Sequence, residues 1–188
     1  AVKEAFPDKN YALQGSDGYG TGYAVKCAIE QFGLENYKGD IVILSGDVPC
    51  IKRSTVEALC SQHQREGNSC TLLSCVSEQR LPFGRIIRDS KGKVSAIREH
   101  KDCTPEEREI KELNVGLYVF DSEKLTEALG KINSNNAAGE YYLTDVPKIM
   151  LDSDEKVGAY QTDDESELWG VNTIDDLRAV EEILRRTK

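Results

Sequence analysis

Residues 41–49 read Ile-Val-Ile-Leu-Ser-Gly-Asp-Val-Pro and set a lone carboxylate where an apolar run stops. Ile41 to Leu44 is largely β-branched and unbroken, too short for a helix and typical of a strand covered on both faces. Pro49 blocks further ladder pairing, and Gly46 lets a ligand come close to the backbone. In open α/β sheets, ligands sit beyond the carboxyl ends of the strands, which makes Asp47 a candidate metal ligand. The competing reading is a plain turn, because Asp after a strand is a common turn former.

Four more loops concentrate polar groups. Gly20-Thr21-Gly22 opens a helix, so its N–H groups and positive dipole end face an anion or a carbonyl, or form a simple cap. Glu99-His100-Lys101-Asp102 follows a strand and reads equally as a solvated turn. Gly139 to Asp145 crowds Tyr141 and Tyr142 between Glu140 and Asp145 ahead of a helix. Gly170-Val171-Asn172 precedes the last helix, where Asn172 is either a ligand or a neighbour of the cap.

In this order the loops resemble the uridylyltransferase domain of the bacterial N-acetylglucosamine-1-phosphate uridyltransferases. The resemblance runs through Gly-Thr-Gly at 20–22, Gly-Asp-Val-Pro at 46–49, Phe-Gly-Arg at 83–85 and Glu-His-Lys-Asp at 99–102. It continues through Glu-Leu-Asn-Val-Gly at 112–116, Asn-Asn-Ala-Ala-Gly-Glu-Tyr-Tyr-Leu-Thr-Asp at 135–145 and Gly-Val-Asn at 170–172, and so covers nearly all of the chain. It implies an α/β, Rossmann-like nucleotide-diphospho-sugar transferase fold, with a mixed, mostly parallel sheet and an inserted hairpin. It also implies a reaction of UTP with N-acetylglucosamine 1-phosphate that gives UDP-N-acetylglucosamine and pyrophosphate. A sugar-phosphate oxygen attacks the α-phosphorus in line, without a covalent intermediate. Such chemistry rests on positioning and charge stabilisation, so no catalytic residue is assigned beyond the metal ligands.

Carried over residue by residue, Asp47 and Asn172 match the pair that shares Mg²⁺; both offer the hard oxygen donors that this cation accepts. Gln14, Gly20 and Thr21 match the uracil-reading loop, and Ser45 and Gly46 line the same nucleotide edge as Asp47. Gly84, Glu99 and Asn114 match positions that hold the amino-sugar, with Tyr142 and Thr144 helping there. Two rivals stand beside this reading: another sugar-1-phosphate nucleotidyltransferase, and a non-catalytic fragment that binds sugar nucleotides or serves as an interaction module.

The chain departs from the family pattern in three places. The family's opening glycine-rich loop, whose basic residues grip the triphosphate, does not occur in these residues. The Gln14–Gly20 loop is longer than the family's spacing, and no hexapeptide repeat of a β-helix domain follows. The expectation is one partial, N-terminally truncated domain over residues 1–188 with impaired or no uridylyltransferase activity. Arg85 and Lys101 match the sugar side, not the triphosphate side. Any homo-oligomer would form through an exposed strand edge or through the β-helix domain of a full-length relative.

Composition agrees with a small-molecule site. With 188 residues, 39% hydrophobic and 30% charged, the chain is long enough for a core without staples. The net charge of −9 argues against a nucleic-acid groove. It leaves room for a phosphorylated substrate if a divalent cation supplies positive charge. No apolar run reaches membrane-span length and no signal segment opens the chain, so a cytoplasmic location is expected. Six cysteines without a Cys-x-x-Cys pair, and two histidines, read as reduced structural thiols and not a zinc site.

The elements that must position these loops alternate. Helices are expected over 21–32, from the Ser54–Glu57 capping-box pattern to Gly67, from Thr104-Pro105, over 123–132 and 144–151, and over 173–186. The last carries Ile174, Leu177, Val180 and Leu184 on one face. Strands are expected over 41–45, 69–76, 114–120 and 157–161. A hairpin over 84–89 and 93–98 turns at Ser90–Gly92.

Overall fold

The computed structural model describes residues 2–186. In chain order the elements are α1 (Val2–Ala5), α2 (Thr21–Gln31), β1 (Asp40–Leu44), α3 (Arg53–Glu66), β2 (Cys70–Val76), β3 (Arg85–Arg88) and β4 (Val94–Arg98). After them come α4 (Pro105–Arg108), β5 (Glu112–Asp121), α5 (Ser122–Leu129), α6 (Val146–Asp152), β6 (Val157–Thr162) and α7 (Ile174–Arg186). The strands form one sheet in the order β4-β3-β5-β2-β6, with β1 also paired to β5.

The mostly parallel sheet of the sequence reading is corrected here. Among the described residues four strand pairs are antiparallel, and only β2 with β6 is parallel. The α3 crossover does leave β1 and β2 pointing the same way, as such a connection should. The long strand β5 then enters between them and runs antiparallel to both. A strand-helix-strand pattern specifies direction; it does not specify which later strand comes in between.

Strand β5 divides the core because its side chains alternate between faces. Leu113, Val115, Leu117 and Val119 face α3 together with Leu59, Leu73 and Leu168. Tyr118 and Phe120 face the side of α2, α5 and α6 together with Leu125, Val146 and Met150. Burying a large apolar side chain contributes roughly 1.5–3 kcal/mol. Leu59, Leu72, Leu73, Val119 and Phe120, none of them exposed at all, therefore anchor both layers to the sheet.

Strand β1 is not buried on both faces as its apolar run suggests. Val42 is 37% and Leu44 52% exposed, while Ile41 and Ile43 are half-buried. Its one edge pairs with β5, and among the described residues its other edge has no strand partner. The Ser54–Glu57 capping box does not form either. Helix α3 begins after Lys52, and Arg53 captures the Glu57 carboxylate at 2.7 Å. The same pattern at Thr104–Glu107 does form a reciprocal box, with Pro105 at the first helical position. Of the four residues expected on the apolar face of α7, Val180 is buried, and Ile174, Leu177 and Leu184 are 70%, 46% and 41% exposed.

Behind the sheet, Glu167 is 1% exposed in a short turn after β6. Its Oε1 accepts the Thr55 hydroxyl at 2.7 Å, and its Oε2 has no hydrogen-bond partner among the described residues. Burial pushes its pKa up, the nearby Asp164 adds to this, and the Thr55 bond and Lys52 oppose it. A raised native pKa means that the folded chain holds this proton more tightly than the unfolded chain. Stability from this group is therefore present at low pH and lost as pH rises from the ordinary carboxyl range through the raised value. Glu167→Gln keeps the shape and the Thr55 bond without the charge. It should raise the thermal midpoint at neutral pH by roughly 2–4 °C, the worth of about 1 kcal/mol in a chain of this size. The gain should shrink toward pH 4, where the wild-type carboxyl is itself protonated. A shift that does not change with pH would refute the assignment.

Candidate functional site

The site opens where β5 changes partners. Along one edge β5 pairs with β3 at Leu113 and with β1 from Leu117 onward. Between these, its ladder with β2 slips: Leu72 faces Tyr118, and Ser74 faces Asn114. Two extra residues of β5 are accommodated as a bulge that preserves the inward and outward alternation. Gly116 sits in this bulge at φ +83°, and a Cβ there would meet the Ser45 Oγ at 2.7 Å. The Gly116 carbonyl accepts both the Ser45 N–H, at 3.3 Å, and the Ser45 hydroxyl, at 3.1 Å. The end of β1 is thus tied to the middle of β5, and the sheet splits open beside it.

A cavity of about 360 Å³ fills this fork. It brings together Thr21, Ser45, Asp47, Gly84, Glu99, Asn114 and Thr144 from the sequence-derived set, and adds Pro82, Phe83, Gly116 and Tyr118. Thr144 donates to Glu99 Oε1 at 2.8 Å. Burial raises the Glu99 pKa against that bond, and Asp102, Asp145 and Glu140 push it the same way. Asn114 donates its N–H side-chain group to the Tyr118 hydroxyl at 2.6 Å, and its own backbone N–H reaches the Gly84 carbonyl at 2.9 Å. Gly84 is held tight as well: a Cβ there would press on Ile97 and on the Arg98 carbonyl.

The segments 19–22 and 141–144 are zipped together. Tyr141 N–H donates to the Tyr19 carbonyl and Gly22 N–H to the Tyr141 carbonyl, each at 2.8 Å, and Leu143 N–H donates to Thr21 Oγ1 at 3.0 Å. Gly20, at φ +114°, lies so close to Tyr141 that a Cβ would stand 2.5 Å from its carbonyl oxygen. The Gly22 N–H at the start of α2 is thus already engaged by protein. Gln14 is exposed and reaches only the Gly20 carbonyl, at 3.5 Å. Gln14, Gly20 and the exposed Gly46 line neither this cavity nor the next one. Tyr142 turns to an adjoining cleft that shares Glu99 and Thr144 with this cavity, where burial, Asp102, Glu99 and Glu140 push its hydroxyl up to about 12.

A second cavity, about 560 Å³, adjoins the first and holds Asp47 with Asn172, Gln79, Trp169 and Asp176. The loops that carry Asp47 and Asn172 are bonded directly: Val171 N–H donates to the Asp47 carbonyl at 2.7 Å. Asn172 is not spent on capping α7. Asp176 Oδ2 accepts the N–H groups of Asn172 at 3.1 Å and Thr173 at 2.8 Å, and Thr173 Oγ1 accepts the Asp176 N–H at 3.2 Å. Among the described residues, the Asp47 carboxylate and the Asn172 carboxamide have no protein partner. No three His, Cys, Asp or Glu side chains there form a ready cage for a metal. One carboxylate and one amide oxygen, both unengaged, fit a hard cation that brings most of its ligands as water and phosphate, as Mg²⁺ does.

Arg85, which the resemblance matches to the sugar side, lines neither cavity. Its guanidinium is buried and caps the carbonyls of Phe83, Leu81 and Arg108, so it shapes the 81–84 loop that walls both cavities. Among the described residues no lysine or arginine lines either cavity, while Asp47, Glu99, Glu165 and Asp176 do. Tyr118 and Gly116 were not singled out from sequence, although both follow Asn114 within the quoted Glu-Leu-Asn-Val-Gly run or just after it. Their signal is the spacing across a bulge, which only the β5 register reveals.

Comparison with known proteins places these features in a family. The profile of the nucleotidyl transferase family matches residues 3–184. The bifunctional protein GlmU of Clostridium beijerinckii is 47% identical over 186 residues, 98% of this chain and 40% of that protein. GlmU of Streptococcus mutans is 40% identical over 185 residues with the same coverage. The chain thus spans about 40% of the length of these relatives. In structure, a UDP-glucose pyrophosphorylase complexed with UDP-glucose superposes with a TM-score of 0.69 at 14% identity, over 100% of this chain and 73% of that one. A nucleoside-diphosphate-sugar pyrophosphorylase from Vibrio cholerae superposes with a TM-score of 0.64 at 15% identity, over 87% and 65%. At such identities the likeness concerns the fold.

Proposed function

This chain belongs to the nucleotidyl transferase family, and we propose that its groove takes UTP and N-acetylglucosamine 1-phosphate and forms UDP-N-acetylglucosamine and pyrophosphate. One observation carries the reading: Asp47, Pro82 and Phe83 line both cavities, so the candidate sugar pocket and the candidate metal pair share one groove. The GlmU relatives lend support at the level of sequence.

Glu99 and Asn114 offer a carboxylate and a carboxamide to the hydroxyls and the N-acetyl group of the sugar. Gly84 lets this wall of the pocket pack closely against Ile97 and the Arg98 carbonyl. Ser45 and Thr21 stand on the nucleotide side. Asp47 and Asn172 would hold Mg²⁺, which supplies the positive charge that phosphates need in an acidic groove. The chain's own part in the reaction is to align the attacking sugar-phosphate oxygen and exclude freedom of approach, which is worth several kcal/mol of barrier.

The test is ligand binding by the 188-residue chain. UDP-N-acetylglucosamine at a hundredfold excess over its dissociation constant should raise the thermal midpoint by roughly 5–10 °C, the equivalent of about 2.7 kcal/mol, with Mg²⁺ present. With EDTA the shift should vanish, because no basic side chain lines the groove. For the same reason, pyrophosphate release from UTP by this chain should be far slower than by a relative whose groove carries basic side chains. A stronger response to a different sugar nucleotide would sink the substrate assignment, and comparable turnover would sink the charge argument.

A further inference from the structure

Asn114 and Tyr118 lie four residues apart on β5, a spacing that in a regular strand separates Cα atoms by about 13 Å. Here the bulge at Gly116 lies between them, Gly116 interposes no side chain, and the carboxamide Nδ2 meets the phenolic oxygen at 2.6 Å. Both residues are almost fully buried, at 6% and 3% exposure, and both line the fork cavity. The Tyr118 ring is itself fixed, stacked on Phe120 with centroids 5.5 Å apart. At its other end the carboxamide Oδ1 accepts the Gly116 N–H at 3.4 Å.

A carboxamide has two N–H donors and two acceptor lone pairs. The Tyr118 hydroxyl takes one donor and Gly116 takes one lone pair. One of each remains for a ligand, in a plane that cannot rotate. The Tyr118 hydroxyl also keeps its own hydrogen, and among the described residues no acceptor takes it. Burial holds that phenol far above its ordinary pKa, with Glu99 adding to the shift, so it stays a neutral donor throughout the working pH range.

We infer that Asn114 and Tyr118 act as one recognition unit for the sugar, in which Tyr118 is the positioning residue that fixes which way the Asn114 carboxamide faces. The inference rests on the proposed sugar-phosphate reading of the cavity and deepens it. It predicts that discrimination at this end of the groove depends on a single oxygen atom that the sequence motif does not include.

Tyr118→Phe removes that oxygen and keeps the ring stacked on Phe120. Calorimetric titrations in Mg²⁺ with UDP-N-acetylglucosamine and with UDP compare the parent, Tyr118→Phe, Asn114→Ala and the double variant. The expected result is a loss of about tenfold for UDP-N-acetylglucosamine in Tyr118→Phe, the worth of one hydrogen bond, with UDP binding unchanged. The double variant should bind no worse than Asn114→Ala alone, since the two residues act through one carboxamide. Equal loss for both ligands would show a general structural effect and overturn the inference. So would additive losses, or parent-like affinity in Tyr118→Phe while the parent binds both ligands. A parent chain that binds UDP but gains nothing from the sugar refutes the substrate reading, and the inference falls with it.

Discussion

Asp47→Ala should lower the Mg²⁺-dependent affinity of the chain for UDP-N-acetylglucosamine by on the order of 10²-fold or more, while the midpoint of the unliganded chain stays within about 1 °C. The asymmetry follows from the geometry. The Asp47 side chain is exposed and makes no hydrogen bond or ion pair among the described residues, whereas its backbone carbonyl, which alanine retains, accepts the Val171 N–H at 2.7 Å. Structure is carried by the main chain and ligand binding by the carboxylate. Several kcal/mol of charge stabilisation would be lost, and each 1.4 kcal/mol is a factor of ten. Titrating Mg²⁺ at fixed nucleotide separates the two effects: the variant should need far more metal, with an unchanged unfolding curve. Equal metal dependence in parent and variant would place the cation elsewhere.

Apart from Tyr118, the polar side chains that line the fork cavity were legible because loop chemistry is local. Asp47, Glu99 and Asn114 stand out as polar groups at the ends of apolar runs, and their order along the chain matches a family pattern. What local pattern cannot carry is who pairs with whom. Val42 and Leu44 read as core because apolar β-branched runs usually are. Their exposure depends on the partner of the outer β1 edge, about which residues 41–44 say nothing. The two capping-box patterns make the same point on a smaller scale. At Thr104 the box closes because Pro105 fixes the first helical turn and Glu107 folds back to the Thr104 N–H at 2.9 Å. At Ser54 a neighbouring arginine outcompetes the cap for the glutamate. Arg85 is the converse case: a motif arginine matched to the sugar side holds three carbonyls beneath the wall of the groove.

Gly116→Ala should cost about 2–4 kcal/mol of stability, a fall in midpoint of roughly 5–15 °C for a chain of this length. Two separate penalties make up the figure. A non-glycine residue at φ +83° costs about 1–3 kcal/mol, and a Cβ placed 2.7 Å from the Ser45 hydroxyl oxygen forces a shift in a packed region. The penalties can be told apart. Ser45→Gly in the same chain removes the oxygen that the methyl group would strike and leaves the backbone strain, so the double variant should recover part of the midpoint and not all of it. The effect on ligand binding should go further than stability. Gly116 ties Ser45, on the proposed nucleotide side, to the bulge that brings Asn114 and Tyr118 together on the proposed sugar side. A shift of a few tenths of an ångström there moves both halves of the groove. Affinity for UDP-N-acetylglucosamine should therefore drop even at temperatures where the variant is fully folded, and the loss should remain in the double variant to the extent that the bulge itself has moved. Full recovery of both midpoint and affinity on removing the Ser45 hydroxymethyl group would show that the clash alone mattered and that the left-handed backbone at Gly116 carries no strain.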